Sequence, residues 1–164
     1  MQIKRLSTLF LSLTSIWIGW TVLVDMVIVP TVFRIVPNFF NAGDLGIALF
    51  SKLNQFEVVV ATLNIVILAF ALQKRKKVLP LLMLSILSFS IVMFYFSYLT
   101  PMITHLTDVW KQSDLAGIYN VPGIGDIQQA HQKYHRIYVG MDVLKLLILC
   151  FIWAMAFFQE EKWN

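Results

Sequence analysis

The 164 residues of the chain are 59% hydrophobic and only 13% charged, with a formal net charge of +4 and a mean hydropathy of +0.74. This composition excludes an ordinary soluble domain and predicts a membrane protein with room for four spans of about 20 residues. The basic residues lie beside apolar segments, where they set orientation in the membrane, so we expect no nucleic-acid partner. The single cysteine, Cys150, excludes an intramolecular disulfide.

Four apolar segments follow one another along the chain, and each is long enough to cross a bilayer. We predict spans at about 6–29, 56–72, 78–100 and 137–158, all within one membrane domain covering 1–164. Together they predict an all-α fold, a four-transmembrane-helix bundle. The helical pattern continues past the ends of the second, third and fourth apolar segments, so these helices are expected to extend on the outer side.

Prolines and capping residues mark the expected ends of the helices. Pro30 punctuates the exit from the first span, and Asn41 is a candidate N-cap for the second helix. Pro101 lies near the exit of the third span. The turn residues at 120–125 break the chain, and Asp126 is the candidate N-cap of the last helix.

The distribution of basic residues predicts the orientation. Lys4, Arg5 and the cluster at 74–77 crowd the side that the two termini share, whereas the basic residues of the opposite loops are spread over longer stretches. Basic residues concentrate on the cytoplasmic side of multi-pass proteins. We therefore expect a protein of the cell inner membrane with both termini in the cytoplasm.

A polar stripe runs into the last apolar segment. His131, His135, Tyr138, Asp142 and Lys145 fall within roughly 80° of one another when residues are spaced at 100° around a helix. Ionisable groups inside a membrane are costly and normally face a bundle interior, a cavity or a partner. The stripe therefore predicts the location of a site, without naming a reaction.

Other spans carry ionisable or amide side chains at a similar depth. Asp25, Glu57, Asp142 and Lys145 are expected to meet in the outer half of the bundle. Three carboxylates against one lysine must neutralise one another, take up protons or hold a cation, because an isolated charge in hydrocarbon is very unfavourable. We predict an outward-facing polar pocket made of Asp25, Glu57, Asn64, Tyr138, Asp142 and Lys145.

Three histidines are the candidate metal ligands. His131 and His135 are four residues apart and present both rings on one helix face, and His105 on the neighbouring helix completes a set of three imidazoles. The sequence leaves the cofactor unknown, with copper or another transition metal as the first candidate and haem as the second. A solvated interfacial role for the histidines is favoured over metal ligation.

A purely structural role stays open for the charged residues. Asp142 and Lys145 can pair with each other, and Asp25 and Glu57 can accept hydrogen bonds that lock the bundle. The sequence contains no glycine-rich phosphate loop, serine elbow or zinc-protease helix motif, so we predict no catalytic residues.

A known four-span membrane family of unknown function resembles this chain at 17–19, 29–34, 42–43, Phe50 and 131–135. That family is related to the eukaryotic transmembrane protein associated with platinum-drug tolerance, and it is distantly similar to the CopD-like copper-resistance superfamily. The resemblance implies a four-helix membrane bundle. At the superfamily level it implies handling of copper or haem on the outer face.

Three functions follow as hypotheses. The leading one is an integral membrane binding or transport-related protein whose outward-facing polar pocket binds a metal cation. The second is an accessory or assembly subunit that docks onto a larger membrane complex, or onto a copy of itself, through Trp110, Tyr119 and the apolar stretch 35–40. The third is a haem-binding electron carrier. In each case the lipid bilayer is the first partner.

Overall fold

The computed structural model describes residues 2–115 and 124–159, and this part of the chain contains helices and no strand. Two π-helical segments interrupt the α-helices, the first at Leu23–Ile28 and the second at Tyr95–Leu99. The six described α-helices are α1 Gln2–Val22, α2 Val29–Ile35, α3 Phe39–Leu72, α4 Leu79–Phe94, α5 Thr100–Leu115 and α6 Ile124–Gln159.

These elements form four long rods. The first π-segment joins α1 to α2 and the second joins α4 to α5, while α3 and α6 are each a rod of their own. Each rod is long and apolar enough to cross a membrane. At 1.5 Å per residue, α3 and α6 are roughly 50 Å long, so they extend beyond a hydrocarbon core of about 30 Å. The predicted all-α, four-span bundle is thereby confirmed.

Successive rods run in opposite directions, which gives the bundle two distinct ends. The terminal end holds the start of α1, the link at 73–78 and the end of α6. The loop end holds the link at 36–38, the end of α5 and the start of α6. There Lys111 Nζ lies 2.5 Å from Asp44 Oδ2 and ties α5 to α3.

Each π-segment ends two residues before a proline inside a rod. Pro30 follows the first π-segment and Pro101 follows the second. Proline lacks a backbone N–H and its ring clashes with the carbonyl group four residues earlier, so a helix that passes through it must be distorted locally. A π-segment supplies that distortion. Pro30 therefore does not end the first helix, which continues to Ile35.

Two of the predicted helix caps are wrong. Asn38, in an extended conformation, caps α3, and its side-chain oxygen accepts the backbone N–H of Asn41 at 3.0 Å. The predicted cap Asn41 thus lies in the first turn. Because the described part of α6 is already helical at Ile124, Asp126 lies inside the helix and not at its N-cap, and its charge still favours the helix N-terminus. Most of the break predicted at 120–125 lies outside the described residues.

The apolar core lies in the half of the bundle nearer the terminal end. Phe10 of α1, Leu68 of α3, Leu81 of α4 and Ile152 of α6 are buried there. Small side chains are buried with them, and they let helices approach closely where lipid supplies no hydrophobic drive. These are Ala61, Ala71, Ser85, Ser88 and Ala156.

Candidate functional site

Four ionisable side chains from three rods meet inside the bundle, and we call Asp25, Glu57, Asp142 and Lys145 the charged cluster. Lys145 and Glu57 are both 0% exposed, and Lys145 Nζ lies 2.5 Å from Glu57 Oε1. The same Nζ lies 2.6 Å from Asp142 Oδ1, one turn earlier in α6. A buried ion pair of this kind resists removal of either partner, since the other is left as an uncompensated charge.

Glu57 is the centre of the charged cluster. Its Oε1 accepts a hydrogen bond from Trp17 Nε1 at 2.9 Å and another from Thr21 Oγ1 at 3.0 Å, in addition to the contact with Lys145. Donors from α1 and α6 thus converge on one oxygen atom of α3. Its other oxygen, Oε2, is buried and has no hydrogen-bond partner within the described part of the chain.

Asp25 reaches the cluster from the first π-segment. Both of its carboxyl oxygens are buried, and among the residues described neither has a hydrogen-bond partner. Asp142, Lys145 and Glu57 act on it electrostatically. The cluster therefore contains three carboxyl groups for one lysine.

Two stacked tyrosines cover the cluster on the side of the loop end. The rings of Tyr95 and Tyr138 are 4.6 Å apart between centroids with 30° between their planes. Lys145 Nζ lies 5.3 Å from the centroid of the Tyr95 ring, within the range of a cation–π contact. Tyr95 begins the second π-segment, so each π-segment contributes one residue to this region. π-Helical turns occur frequently at functional sites.

An amide joins the tyrosine layer to the neighbouring rods. The Tyr138 hydroxyl group donates to Asn54 Oδ1 at 3.3 Å, and Asn54 Nδ2 donates to Thr100 Oγ1 at 2.8 Å. This chain of bonds ties α6, α3 and α5 together. Asn64, which the sequence predicted in the same pocket, lies two turns beyond Glu57 along α3 and donates to Thr14 Oγ1 at 3.2 Å.

A cavity of about 430 Å³ lies between α2, α3, α5 and α6 toward the loop end. Its wall contains six Phe, Trp and Tyr side chains, and we call it the aromatic cavity. Its aromatic side chains are Phe33, Phe39, Phe40, Phe50, Trp110 and Tyr138. Its polar side chains are Thr100, Thr107, His131, Gln132 and His135.

Two glycines of α3 line the aromatic cavity and leave space in it. A Cβ atom added at Gly43 would meet nothing within 4 Å, and one added at Gly46 would lie 3.6 Å from the Phe33 ring. A larger side chain at Gly43 has room to occupy the cavity. The cavity thus exists partly because these positions carry no side chain.

The aromatic cavity and the charged cluster are neighbours separated by the tyrosine layer. Tyr138 lines the cavity and stacks on Tyr95, which in turn contacts Lys145. The sequence predicted a single outward-facing polar pocket. The structure divides that region into a buried charged cluster and a mainly apolar cavity.

The two histidines of α6 lie on the wall of the aromatic cavity. Their rings are nearly parallel, with 6.3 Å between the centroids of His131 and His135, and Trp110 packs edge-on against His131 at 5.8 Å. His105 is exposed and does not line the cavity. In the described ranges, no group of three or more His, Cys, Asp or Glu side chains is placed to hold a metal ion. Metal ligation by His105, His131 and His135 stays a prediction.

Several partners of the predicted residues were not predicted from the sequence. Trp17 and Thr21 bind Glu57, and Asn54 binds Tyr138. The spacing of Trp17, Thr21 and Asp25, four residues apart in sequence, was a signal that they share one face of the first rod. The spacing does not show which residue of another rod they meet, because that depends on the relative depth of the rods in the membrane.

The chain belongs to the family described as Domain of unknown function (DUF4149), whose model matches residues 12–111. The match runs from the middle of α1 through most of α5 and ends before α6. The predicted resemblance to a family of unknown function is confirmed. Its links to the platinum-tolerance protein and to the copper-resistance superfamily stay predictions. No curated protein and no solved structure matches the chain.

Proposed function

We propose that this member of the DUF4149 family is an integral membrane protein that binds a small, mainly apolar molecule in the aromatic cavity. The observation that carries the proposal is the size and lining of that cavity. Its volume of about 430 Å³ falls within the range of roughly 300–1,000 Å³ that is typical of small-molecule sites. Such sites are lined mainly by apolar and aromatic side chains with a few polar groups, as this one is.

The positions of the polar groups support a ligand with hydrogen-bonding atoms toward its two ends. His131 and Gln132 lie near the loop end, while Tyr138 and Thr100 lie nearer the tyrosine layer. Along α6, His131 and Tyr138 are about 10 Å apart at 1.5 Å per residue. Aromatic rings fill the wall between them. A quinone, with carbonyl groups on opposite sides of an apolar ring, has this distribution of apolar and accepting atoms.

The proposed site opens toward the outer compartment. The clustered basic residues at 74–77 and near the N-terminus lie at the terminal end, and such clusters favour the cytoplasmic side. With both termini in the cytoplasm of an inner-membrane protein, the loop end and the aromatic cavity face outward. A ligand then enters from the outer leaflet or from the solution beyond it.

Photolabelling with benzophenone tests this proposal, because benzophenone is apolar, aromatic and carries one hydrogen-bond acceptor. The protein is reconstituted in lipid vesicles and illuminated with the probe, and crosslinked peptides are mapped by mass spectrometry. We expect crosslinks to concentrate in 39–50, 100–110 and 131–138. Equal labelling along all lipid-facing segments, with no excess in these three ranges, would contradict the proposal.

A pair of glycine variants sharpens the test. Gly43→Leu places a side chain in open space within the aromatic cavity, so it should remove the crosslinks there. Gly140→Leu is the matched control, since Gly140 is exposed and a Cβ atom there also meets nothing. Replacing glycine in a helix favours the helix by roughly 1 kcal/mol. Loss of label in Gly43→Leu alone therefore reports occupation of the cavity and not unfolding.

A transition-metal cation is the second candidate ligand, as expected from the sequence, and the observation that favours it is the adjacent pair His131 and His135. Equilibrium dialysis against copper or zinc should then show about one metal ion per protein, lost in His131→Ala/His135→Ala. An optical spectrum of the same samples, after addition of haem, tests the electron-carrier hypothesis. Equal metal content and equal spectra in both proteins would exclude both hypotheses for this pair.

The hypothesis of an accessory subunit has less support from the contacts. Trp110, which was expected to cover a partner, packs against Phe39 and Phe40 of its own chain, with 5.5 Å between ring centroids in both cases. Tyr119 lies outside the described residues. Purification in mild detergent tests docking, and a monomer without a co-purifying protein would argue against it.

A further inference from the structure

We infer that the ligand of the aromatic cavity enters sideways from the lipid bilayer, past α2, and is therefore a molecule dissolved in the membrane. The inference rests on the proposed function, because it concerns the route to the same cavity. Two walls of the cavity differ in how firmly they are held, and this difference indicates the route.

The wall toward the loop end is held by contacts between three rods. Trp110 of α5 packs against Phe39 and Phe40 of α3, with 5.5 Å between ring centroids in both cases. Its ring also lies 5.8 Å from the ring of His131 on α6. The next residue of α5 forms the ion pair that ties this helix to α3. A ligand that arrived from the water beyond the loop end would have to separate these contacts.

The wall formed by α2 is held by fewer contacts. Val29 and Phe33, one helical turn apart, line the cavity, yet none of the seven residues of α2, all of them described, is buried. The Thr31 hydroxyl group donates to a carbonyl group of its own rod, and among the described residues no ion pair or side-chain hydrogen bond joins α2 to another rod. The ring of Phe33 packs against Phe39, with 6.1 Å between centroids. Little packing is therefore lost when α2 moves.

Both ends of α2 lie beside points where the chain can bend. The first π-segment precedes it, and Pro30 in its first turn has no backbone N–H to bind the preceding turn. At the other end, Val36 and Asn38 are extended on either side of Pro37. Hinges of moving segments are a few residues at the ends of elements, where a change of backbone angles is absorbed. Thus α2 can swing as one unit between two hinges.

The outer side of α2 faces lipid. Ile35 is 69% exposed, and the bond of Thr31 to the carbonyl group four residues earlier satisfies its hydroxyl group without water. Arg34, near the end of α2, places that end at the level of the lipid headgroups, where arginine side chains extend into water. Movement of α2 therefore opens the cavity to the leaflet on the loop-end side. A molecule that uses this opening must dissolve in lipid, which agrees with the apolar lining of the cavity.

A phospholipid that carries benzophenone on the upper part of one acyl chain tests the route in the wild-type protein. This tethered probe cannot leave its leaflet, so it reaches the cavity only through a lateral opening. In illuminated vesicles we expect it to crosslink Ile103 and Tyr138, which line the cavity, as well as the lipid-facing Val139. Free benzophenone is used in parallel.

The two probes distinguish the failure of the route from the failure of the site. Crosslinks at Ile103 and Tyr138 from free benzophenone, with only lipid-facing residues labelled by the tethered probe, would overturn the inference and leave the site standing. If neither probe labels these two residues, the proposed function fails and the inference fails with it.

A removable bridge between α2 and α3 tests whether α2 is the moving wall. The positions are Phe33→Cys and Gly46→Cys in a Cys150→Ala background, because the Phe33 ring lies 3.6 Å from a Cβ atom added at Gly46. A short reagent with two thiol-reactive ends joins them through disulfide bonds. We expect the bridge to remove the crosslinks of the tethered probe at Tyr138, and we expect reduction of the disulfides to restore them.

A bridge at the loop end is the matched control. Asp44→Cys and Lys111→Cys, joined by a reagent of matching length, hold together a wall that is already closed, so labelling of Tyr138 by the tethered probe should not change. The order of addition shows that the α2 bridge closes a route: free benzophenone loaded first should stay after washing, whereas a bridge formed first should exclude it. Loss of labelling with the loop-end bridge alone would overturn the inference.

Discussion

Replacing Lys145 by methionine should destabilise the bundle more than any replacement of an exposed lysine. The change keeps an unbranched apolar stem but removes the positive charge that contacts Glu57 Oε1 at 2.5 Å and Asp142 Oδ1 at 2.6 Å. Hydrogen bonds to charged groups contribute about 1.5–3 kcal/mol each, and removal of one partner of a buried ion pair costs about 3–5 kcal/mol. We expect the free energy of unfolding to fall by about 3–5 kcal/mol.

The assay is unfolding of the purified protein in mild detergent by a titrated denaturing detergent, followed by the helical circular dichroism signal. Lys133→Met is the matched control, because Lys133 is exposed on the same helix and surface changes stay within about 0.5 kcal/mol. Equal losses in Lys145→Met and Lys133→Met would refute the reasoning.

A double variant separates the ion pair from the packing of the lysine stem. Lys145→Met/Glu57→Gln removes both charges, while the new amide oxygen at position 57 still accepts from Trp17 and Thr21. We expect this variant to be more stable than Lys145→Met alone, since it leaves one fewer uncompensated charge. If the double variant is less stable by the sum of the two single losses, the contact between Lys145 and Glu57 contributes nothing.

Two further predictions concern side chains at opposite degrees of burial. Asn54→Ala removes the acceptor of Tyr138 and the donor to Thr100, so the free energy of unfolding should fall by about 1–3 kcal/mol in the same titration; an unchanged midpoint would contradict the proposed role of Asn54. Asp44→Asn breaks a partly exposed ion pair with Lys111, and we expect a loss below about 1 kcal/mol that shrinks further at high salt. A loss as large as that of Lys145→Met would show that this pair is not solvent-screened.

The number and type of helices were predictable because apolar length alone decides whether a segment crosses a bilayer. Helix ends were less predictable. Asn38 and Asn41 are both good caps, and the choice depends on where the chain is extended. Val36 is extended, as expected for a residue before proline. Pro37 therefore indicated that α3 begins after residue 37. The first helix passes through Pro30 because of the π-segment, and no feature of a single sequence predicts a π-segment.

Within the candidate site, the sequence predicted local pairs better than contacts between rods. Asp142 and Lys145 are three residues apart on one helix, so their pairing was predictable from spacing. The partner of Glu57 depends on the relative depth of three rods, and one of these rods contains a π-segment. Asn64 was placed in the same pocket although it lies two turns away. The aromatic cavity was not predicted, because it arises from missing side chains at Gly43 and Gly46 between rods.

The concentration dependence of benzophenone labelling in the wild-type protein tests the central claim most directly. Occupation of a defined site predicts that crosslinks in 39–50, 100–110 and 131–138 reach a plateau as the probe concentration rises, while labelling of lipid-facing residues such as Phe151 and Phe158 keeps rising in proportion. A linear rise without a plateau in those three ranges, matching the lipid-facing residues, would contradict the account of the aromatic cavity as a binding site.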